Sequence, residues 1–468
     1  MEHKSKSDHA SCQSPSPPSS QVSSTFTETF PRFSNTTQIG GSVAGLLQGL
    51  QLKRQGANVI VLEQDPSSDR HSHESGVSIG PTVVKLLQQY DATGRPAAIP
   101  ARYLSVAWRQ RLRVASVTWK HNMSNWGCLY LILRANFDGM ASETVPEPPA
   151  PRPTDGAVEY HAGKKATGVS YNSEKDIMIV NYVDSVTGER GTVSASIVIA
   201  ADGVHSTIRK IMHVPTRRDY AGYIAWRGTV PERLLSKETV EYFSNRLNFS
   251  MLKGTYFIRY LRSLCKPTFS PLIPDSYLIP TEAGNVEPGK RLVNWVWYFV
   301  VPENSAEMDS IFRDVNGNLH PNTVPHGKIK PEIWSGQIAR YISQMTAPLA
   351  EIVTKTPRPF VTKVGEAEAA AASFYDDRLI LVGDAYTGFR SHLGMASEQA
   401  ARHCLQMNRV WHGEITQEER DREARLYSRR FLLLNRMIGL TGLGLVWEVC
   451  KIGIAYMWLM IQHRLGLV

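Results

Sequence analysis

Three short runs of this 468-residue chain carry residue types and spacings that could do chemistry. The first, Ile39-Gly40-Gly41-Ser42-Val43-Ala44-Gly45, has the pattern Gly-x-Ser-x-x-Gly, with Gly40 and Gly45 outermost, Ser42 between them, and Glu63 eighteen residues beyond Gly45. Small residues so spaced allow a tight turn and a close backbone approach to a pyrophosphate at a helix N-terminus. A carboxylate closing the next strand can accept hydrogen bonds from a ribose. The second run, Ser194 to Arg209, reads as a buried strand, a sharp turn at Asp202-Gly203 and a helix start capped by Ser206. The third, Arg378 to Ala385 followed by Gly388 to Ala400, places Gly383-Asp384 at another strand tip. Three such tips point to one nucleotide site built from separate stretches of chain.

The elements that must hold these tips follow from hydrophobic periodicity. Leu46 to Arg54 is apolar at helical spacing, and Ala57-Asn58-Val59-Ile60-Val61-Leu62 is a β-branched run ending in Glu63, so the two form a helix and the second strand of a βαβ unit. Residues Arg32 to Ile39 are polar where a buried parallel strand needs a Val/Ile/Leu run, and the first strand of the unit is predicted to be missing or degraded. Before it, Met1 to Ser34 contains ten serines with Pro15, Pro17 and Pro18, and residues 1–38 are expected to be a disordered tail.

Composition narrows the class. With 42% hydrophobic and 20% charged residues there is room for a large core and, at roughly 150 residues each, two to three domains. Lys and Arg exceed Asp and Glu by 52 to 43, but the basic residues are dispersed, which argues against a nucleic-acid partner. Cys12, Cys128, Cys265, Cys404 and Cys450 form no close pair, so neither a zinc site nor a disulfide framework is encoded and a reducing compartment is expected. His71, His73, His205 and His392 show no metal-ligand spacing and are expected to be satisfied or surface histidines.

In Tyr220 to Arg227, strand alternation puts Tyr223 and Arg227 on one face and Tyr220 and Trp226 on the other. A tyrosine beside an arginine could orient or deprotonate a phenol, because the cation favours the phenolate; the other reading is a cross-sheet aromatic pair with a rim arginine. At the C-terminus, residues 437–461 are nearly all apolar, with Glu448 and Lys451 the charged exceptions and Arg429, Arg430, Arg436 and Arg464 around them. That length could span a bilayer. The two charges, four glycines, Trp447 and Trp458 equally suit a helix lying on a membrane or covering a domain.

The ordered set GGSVAG with Glu63, then Ala-Asp-Gly-Val-His-Ser-Thr-Ile-Arg (201–209), then Leu-Val-Gly-Asp-Ala (381–385), resembles the FAD-dependent aromatic monooxygenases of the para-hydroxybenzoate hydroxylase type over about Ile39 to Arg409. Asp219 to Gly228 and Trp126 to Phe137 look most like the fungal secondary-metabolite members. The resemblance implies an α/β fold. A Rossmann-like FAD-binding domain (39–100, 126–212 and 366–412) would interleave with a mixed-sheet substrate domain (101–125 and 213–365), ahead of a helical, apolar tail at 413–468. It further implies that Glu63 binds the adenosine ribose, Arg134 lies by the pyrophosphate, Gly76 lies near the cofactor, Asp202 belongs between the flavin and nicotinamide sites, and Asp384 binds the ribityl chain. Ala396 and Ser397 would open the helix beneath the flavin. NADPH or NADH would bind transiently, and one atom of O2 would pass to an aromatic, polyketide-type secondary metabolite by hydroxylation or epoxidation. Tyr220, Tyr223 and Arg227 would be the catalytic candidates. Baeyer–Villiger or oxidase chemistry, or a flavin-free membrane-tethered relative, are the alternatives. The expected location is cytoplasmic, or membrane-associated through 437–461. Two departures stand out: Ser391 replaces a common proline, removing a rigid φ, and Arg259 to Pro274 is basic and Pro-rich like an insertion or translated non-coding sequence. Trp295-Val296-Trp297 is shared with flavin-dependent halogenases, but Pro302 lies too far on for that motif.

Overall fold

The computed structural model describes residues 35–67, 75–100, 103–108, 111–118, 122–243, 245–252, 255–262 and 279–467. The tail up to residue 34, His71, His73 and residues 263–278 of the basic, Pro-rich stretch lie outside them, while Arg259 to Arg262 close a strand.

A six-stranded sheet runs in the order 373–374, 379–381, 197–200, 35–39, 58–62 and 158–161. At its middle, β1 (Asn35–Ile39) is parallel to both β2 (Asn58–Leu62) and β3 (Ile197–Ala200), with Ile39 level with Leu62 and Ala200. The strand that the sequence predicted to be missing is therefore present, and regular structure begins inside the stretch expected to be tail. The physical reason is that two parallel neighbours satisfy its backbone whatever its side chains. The Gln38 amide is satisfied as well, with its nitrogen 2.5 Å from the Gly45 carbonyl and its oxygen 2.8 Å from the Gly49 N–H. Thr37 Oγ1 is buried with no partner, a cost that a Val would not carry.

Helix α1 (Val43–Arg54) leaves the tip of β1 and buries Leu46, Leu47 and Leu50 against Val59, Val61 and Ile199. Helices α2 (Pro81–Tyr90) and α3 (Trp126–Asp138) join this core through Val83, Leu86, Leu133 and Phe137.

The second, nine-stranded sheet draws on residues 103–118 and 216–369, with the Thr387-Gly388 strand paired to 360–369 off its main path. Its pairings are antiparallel except for 245–252 beside 103–108, which are parallel. At its centre β4 (Thr216–Pro231) lies between β5 (Leu292–Val300) and β6 (Phe360–Ala369). One face buries Trp226, Trp295 and Trp297 around Trp334 of the 331–341 helix, with ring centroids 5.3, 5.7 and 6.3 Å from it. The Trp295-Val296-Trp297 run is thus core, which the register of Trp297 opposite Trp226 imposes.

Three helices close the chain. Helix α4 (Ala396–Trp411) packs Ala400, Ala401, Cys404 and Met407 into the first core. Helix α5 (Gln417–Gly442) starts on a capping box between Thr416 and Glu419 and is rich in charge, so the expected apolar character of 413–468 belongs only to its far end and to α6 (Val446–Arg464). Among the described residues no helix is long and apolar enough to cross a membrane, because Glu448 and Lys451 interrupt α6. The architecture is a mixed α/β fold with a parallel sheet, a mostly antiparallel second sheet and C-terminal helices.

Candidate active site

The tips of β1, β2 and β3 open on one side of the first sheet, where parallel strands leave a crevice for a ligand. A cavity of about 300 Å³ there is lined by Gly40, Ser42, Glu63, Asp202 and His205. Gly40 has φ +99°, and a Cβ on it would lie 2.5 Å from the Ala201 carbonyl oxygen. Gly45 touches Gly40 even more closely, since a Cβ would meet the Gly40 oxygen at 2.0 Å, so both outer glycines are required for α1 to leave the strand at this angle. Ser42 is the extended residue before α1 and makes no side-chain cap, and the first turn carries no acid; its N–H groups can receive an anion. Glu63 is buried, accepting from Gly41 N at 2.8 Å and from Asp65 N at 3.0 Å, which fixes a carboxylate beside the glycine turn.

Arg134 does not line that cavity. Its guanidinium binds Asp138 through Nε and Nη2 (3.1 and 2.7 Å), donates to Tyr130 at 2.6 Å, and stacks 3.5 Å above Tyr160. Tyr160 in turn donates to the Gly41 carbonyl at 3.2 Å, so Arg134 reaches the glycine turn through a tyrosine.

Two carboxylates face the ligand side with unused lone pairs. Asp202 accepts from Thr207 N and Ile208 N at 2.7 and 3.1 Å, which caps the next helix, while its Oδ1 is buried without a partner and burial pushes its pKa up. Asp384 likewise has a buried, unpartnered Oδ1, and burial pushes it up to about 6 against the pull of Arg209. A sealed carboxylate oxygen with no donor is costly unless something hydroxylated completes it.

A second cavity of about 570 Å³ shares Val204 and His205 with the first, and is lined further by Tyr220, Arg227, Lys363, Asp384 and Arg390. Here strand alternation fails. Tyr220 is level with Gly365 of β6, yet Ile224 is level with Lys363, so β4 carries two extra residues around Gly222, which has φ +83°. Tyr220 lines the same cavity as Arg227, whereas the sequence put them on opposite faces. Tyr220 donates to the Val301 carbonyl at 2.8 Å, and burial raises its pKa, as it does that of Tyr223; neither phenol is poised as a base. Arg227 has a buried Nε with no partner.

Tyr223 is fully buried and lies beneath the cavity wall. Its hydroxyl receives Arg390 Nη1 at 3.2 Å and meets His392 Nε2 at 2.6 Å. Arg390 also grips Glu366 (2.9 and 3.3 Å), and Arg436 of α5 reaches the same carboxylate at 2.7 Å. Burial holds the His392 pKa well below its usual value, so the imidazole is neutral and its Nε2 can accept a hydrogen bond from the tyrosine hydroxyl. Ser391, where a proline was expected, bonds to the Tyr298 hydroxyl at 2.7 Å, giving the loop a side-chain anchor. Arg390, His392 and Glu366 were missed as functional candidates. Arg390 and His392 follow the Gly383-Asp384 tip directly, and that adjacency was the available signal.

The remaining candidates sit between the sheets. Gly76 donates to Asn294 Oδ1 at 3.2 Å, Ala396 opens α4, and the Ser397 hydroxyl donates to the Ser78 carbonyl.

A family model described as FAD binding domain-like matches residues 220–263 and 274–366. The 2,6-dihydroxypyridine 3-monooxygenase of Paenarthrobacter nicotinovorans is 25% identical over 370 residues, covering 77% of this chain and 79% of that protein. Among solved structures, 2,6-dihydroxypyridine-3-hydroxylase from Arthrobacter nicotinovorans superposes with TM-score 0.67 at 21% identity, covering 87% of this chain and 92% of that one. Klebsiella pneumoniae HpxO complexed with FAD and uric acid gives 0.62 at 15% identity, covering 94% and 97%. The chain is thus similar to the FAD-dependent aromatic hydroxylases (class A flavin monooxygenases), and it is an FAD-dependent monooxygenase.

Proposed function

We propose that the chain hydroxylates a small aromatic ring that already carries an ionisable hydroxyl, such as a phenol or a hydroxypyridine, with FAD as its bound cofactor and NADPH or NADH as a passing reductant. The observation that carries this is the second cavity: Arg227, Lys363 and Arg390 surround a space of about 570 Å³, large enough for one or two rings, with Asp384 at its edge. The named relatives act on a dihydroxypyridine or bind uric acid, which are rings of that kind.

The residues present fit the cofactor. Gly40, Ser42 and Gly45 would cradle its pyrophosphate, Glu63 its ribose, and the orphaned Oδ1 of Asp384 would accept from a ribityl hydroxyl. The flavin, once reduced, supplies the activation of O2 and the oxygen atom transferred to the ring. The chain's own part is electrostatic and steric. Arg227 and Arg390 stabilise the substrate oxyanion, which raises electron density in the ring to be oxygenated. Tyr220 forms a wall, held by the Val301 carbonyl. Tyr223 and Glu366 hold Arg390 in place, and the tryptophan core behind β4 keeps water out of the opposite face.

The charged lining favours such a substrate over an extended apolar polyketide, so epoxidation in secondary metabolism is the weaker form of the reading. The flavin-free alternative was motivated by a missing first strand and by Ser391; β1 is present, and Ser391 is anchored to Tyr298. Incubating the FAD-loaded protein with NADPH or NADH, hydroxypyridines and dihydroxybenzenes under ¹⁸O2 tests the proposal. One labelled oxygen on an intact ring is expected. A labelled, ring-expanded lactone would mark Baeyer–Villiger chemistry, and an unlabelled product with hydrogen peroxide would mark an oxidase; either sinks the reading.

A further inference from the structure

Helix α6 packs only a narrow face onto the protein. Leu459 is buried, whereas Trp447, Ile454, Met457 and Trp458 are 72, 72, 60 and 58% exposed. With Ile461 and Leu465 these residues recur three, four or seven apart, which on a 3.6-residue repeat makes one continuous apolar stripe facing solvent. Lys451 borders the stripe, tied at 2.8 Å to Glu448, and Arg464 ends the helix.

A second, independent feature adjoins it. Between α5 and the end of α6, a cavity of about 230 Å³ is lined by Arg422, Arg425, Arg429, Leu459 and Leu467. The three arginines are exposed. Arg422 reaches Glu418 only at 3.7 Å and Arg429 reaches Glu368 at 3.4 Å, while Arg425 has no ion-pair partner among the described residues. Guanidinium groups left under-neutralised beside leucines offer phosphate recognition next to apolar surface.

We infer that this face is a docking surface for an anionic lipid bilayer, with α6 lying in the interface and Arg422, Arg425 and Arg429 reaching lipid phosphates. Charge decides between occupants. A second copy of the chain would bring the same arginine cluster against itself on a molecule of net charge +9, whereas an anionic headgroup layer complements it. Exposed tryptophans beside cations are the pattern that settles at headgroup depth, and a helix interrupted by Glu448 and Lys451 lies on a bilayer rather than through it.

The test is co-sedimentation of the full FAD-loaded chain with vesicles of phosphatidylcholine alone or mixed with phosphatidylglycerol, with tryptophan emission recorded alongside. Binding to the anionic vesicles, a blue shift, and weakening by added salt are expected. Arg422→Gln with Arg425→Gln should weaken binding roughly fivefold per arginine. Trp447→Ser with Trp458→Ser should abolish the shift and the binding. Both pairs are exposed, so retained FAD stoichiometry serves as the folding control. A wild-type protein that stays in the supernatant with both vesicle types overturns the inference. So does a dimer by light scattering that the tryptophan pair converts to monomer without any vesicle binding, since the stripe would then belong to a second copy.

Discussion

The Tyr223 hydroxyl sits 2.6 Å from Nε2 of His392, although the two residues are 169 apart in the chain. Arg390 Nη1 donates to the same oxygen, so Arg390, Tyr223 and His392 form one buried chain of hydrogen bonds in which the neutral imidazole can accept from the tyrosine hydroxyl. The Cβ that Gly439 of α5 lacks would fall 2.7 Å from the phenol oxygen, so α5 seals this network from solvent. A buried network of this kind is stiff when complete and costly when broken.

Tyr223→Phe keeps the ring against Tyr298 but strands His392 Nε2 and one Arg390 donor. A loss of about 1–3 kcal/mol in urea unfolding is expected. Because Arg390 keeps Glu366 and loses only one anchor, KM for an ionisable substrate should rise several-fold more than kcat falls. An unchanged KM with a collapsed kcat would instead assign Tyr223 to the chemical step.

Glu366 is the hinge of the ion pairing, since both Arg390 and Arg436 close on its buried carboxylate. Glu366→Gln leaves two guanidinium groups facing an amide, and a destabilisation of about 3 kcal/mol is expected. Arg436→Gln removes only the more exposed partner and should cost about 1 kcal/mol or less. Equal unfolding midpoints for Glu366→Gln and wild type would mean that the pair is solvated.

Asp384 gives a pH signature. Its folded pKa, pushed up to about 6, lies above the ordinary aspartate value of 3.8, so the flavin-free protein holds a proton that the unfolded chain gives up. The stability tied to that proton is fully present below pH 3.8 and is lost as pH rises through 6. Asp384→Asn should therefore match wild-type apoprotein near pH 4 and exceed it at pH 8 by about 3 kcal/mol, while retaining FAD less well. Urea midpoints at the two pH values check the sign, and a difference that shrinks at pH 8 would exclude a desolvated carboxyl.

The candidate crevice at the strand tips was legible in the sequence because the residues that line it are placed by local spacing. Gly40, Ser42, Gly45 and Glu63 act through spacing within one βαβ unit, and the Gly383-Asp384 tip follows a plain apolar run. The stacking of Arg134 on Tyr160, which comes from the strand at 158–161, could not be read from periodicity. The second cavity was half legible: Arg227 and Tyr220 were named, but strand alternation put them on opposite faces, whereas both line the one cavity, with an irregular pairing around Gly222 between them. His392 was expected to be a satisfied or a surface histidine; it is buried and satisfied, and its partner is the feature that mattered.

Strand β1 was misread for a physical reason that can be tested. Hydrophobicity is a prior for a central parallel strand, but pairing on both edges carries β1 in spite of Thr36, Thr37 and Gln38. The three polar residues are not equivalent. Gln38 is tied to the backbone of α1 on both its amide atoms, so Gln38→Leu should destabilise by leaving a buried Gly45 carbonyl and Gly49 N–H without side-chain support. Thr37 has a buried hydroxyl with no partner, and Thr37→Val removes that penalty without changing shape. An increase of about 1–2 kcal/mol in unfolding free energy is expected, with the urea m-value unchanged. A lower midpoint for Thr37→Val would show that the hydroxyl is satisfied, and that β1 owes its place to side-chain bonds as well as to its two neighbours.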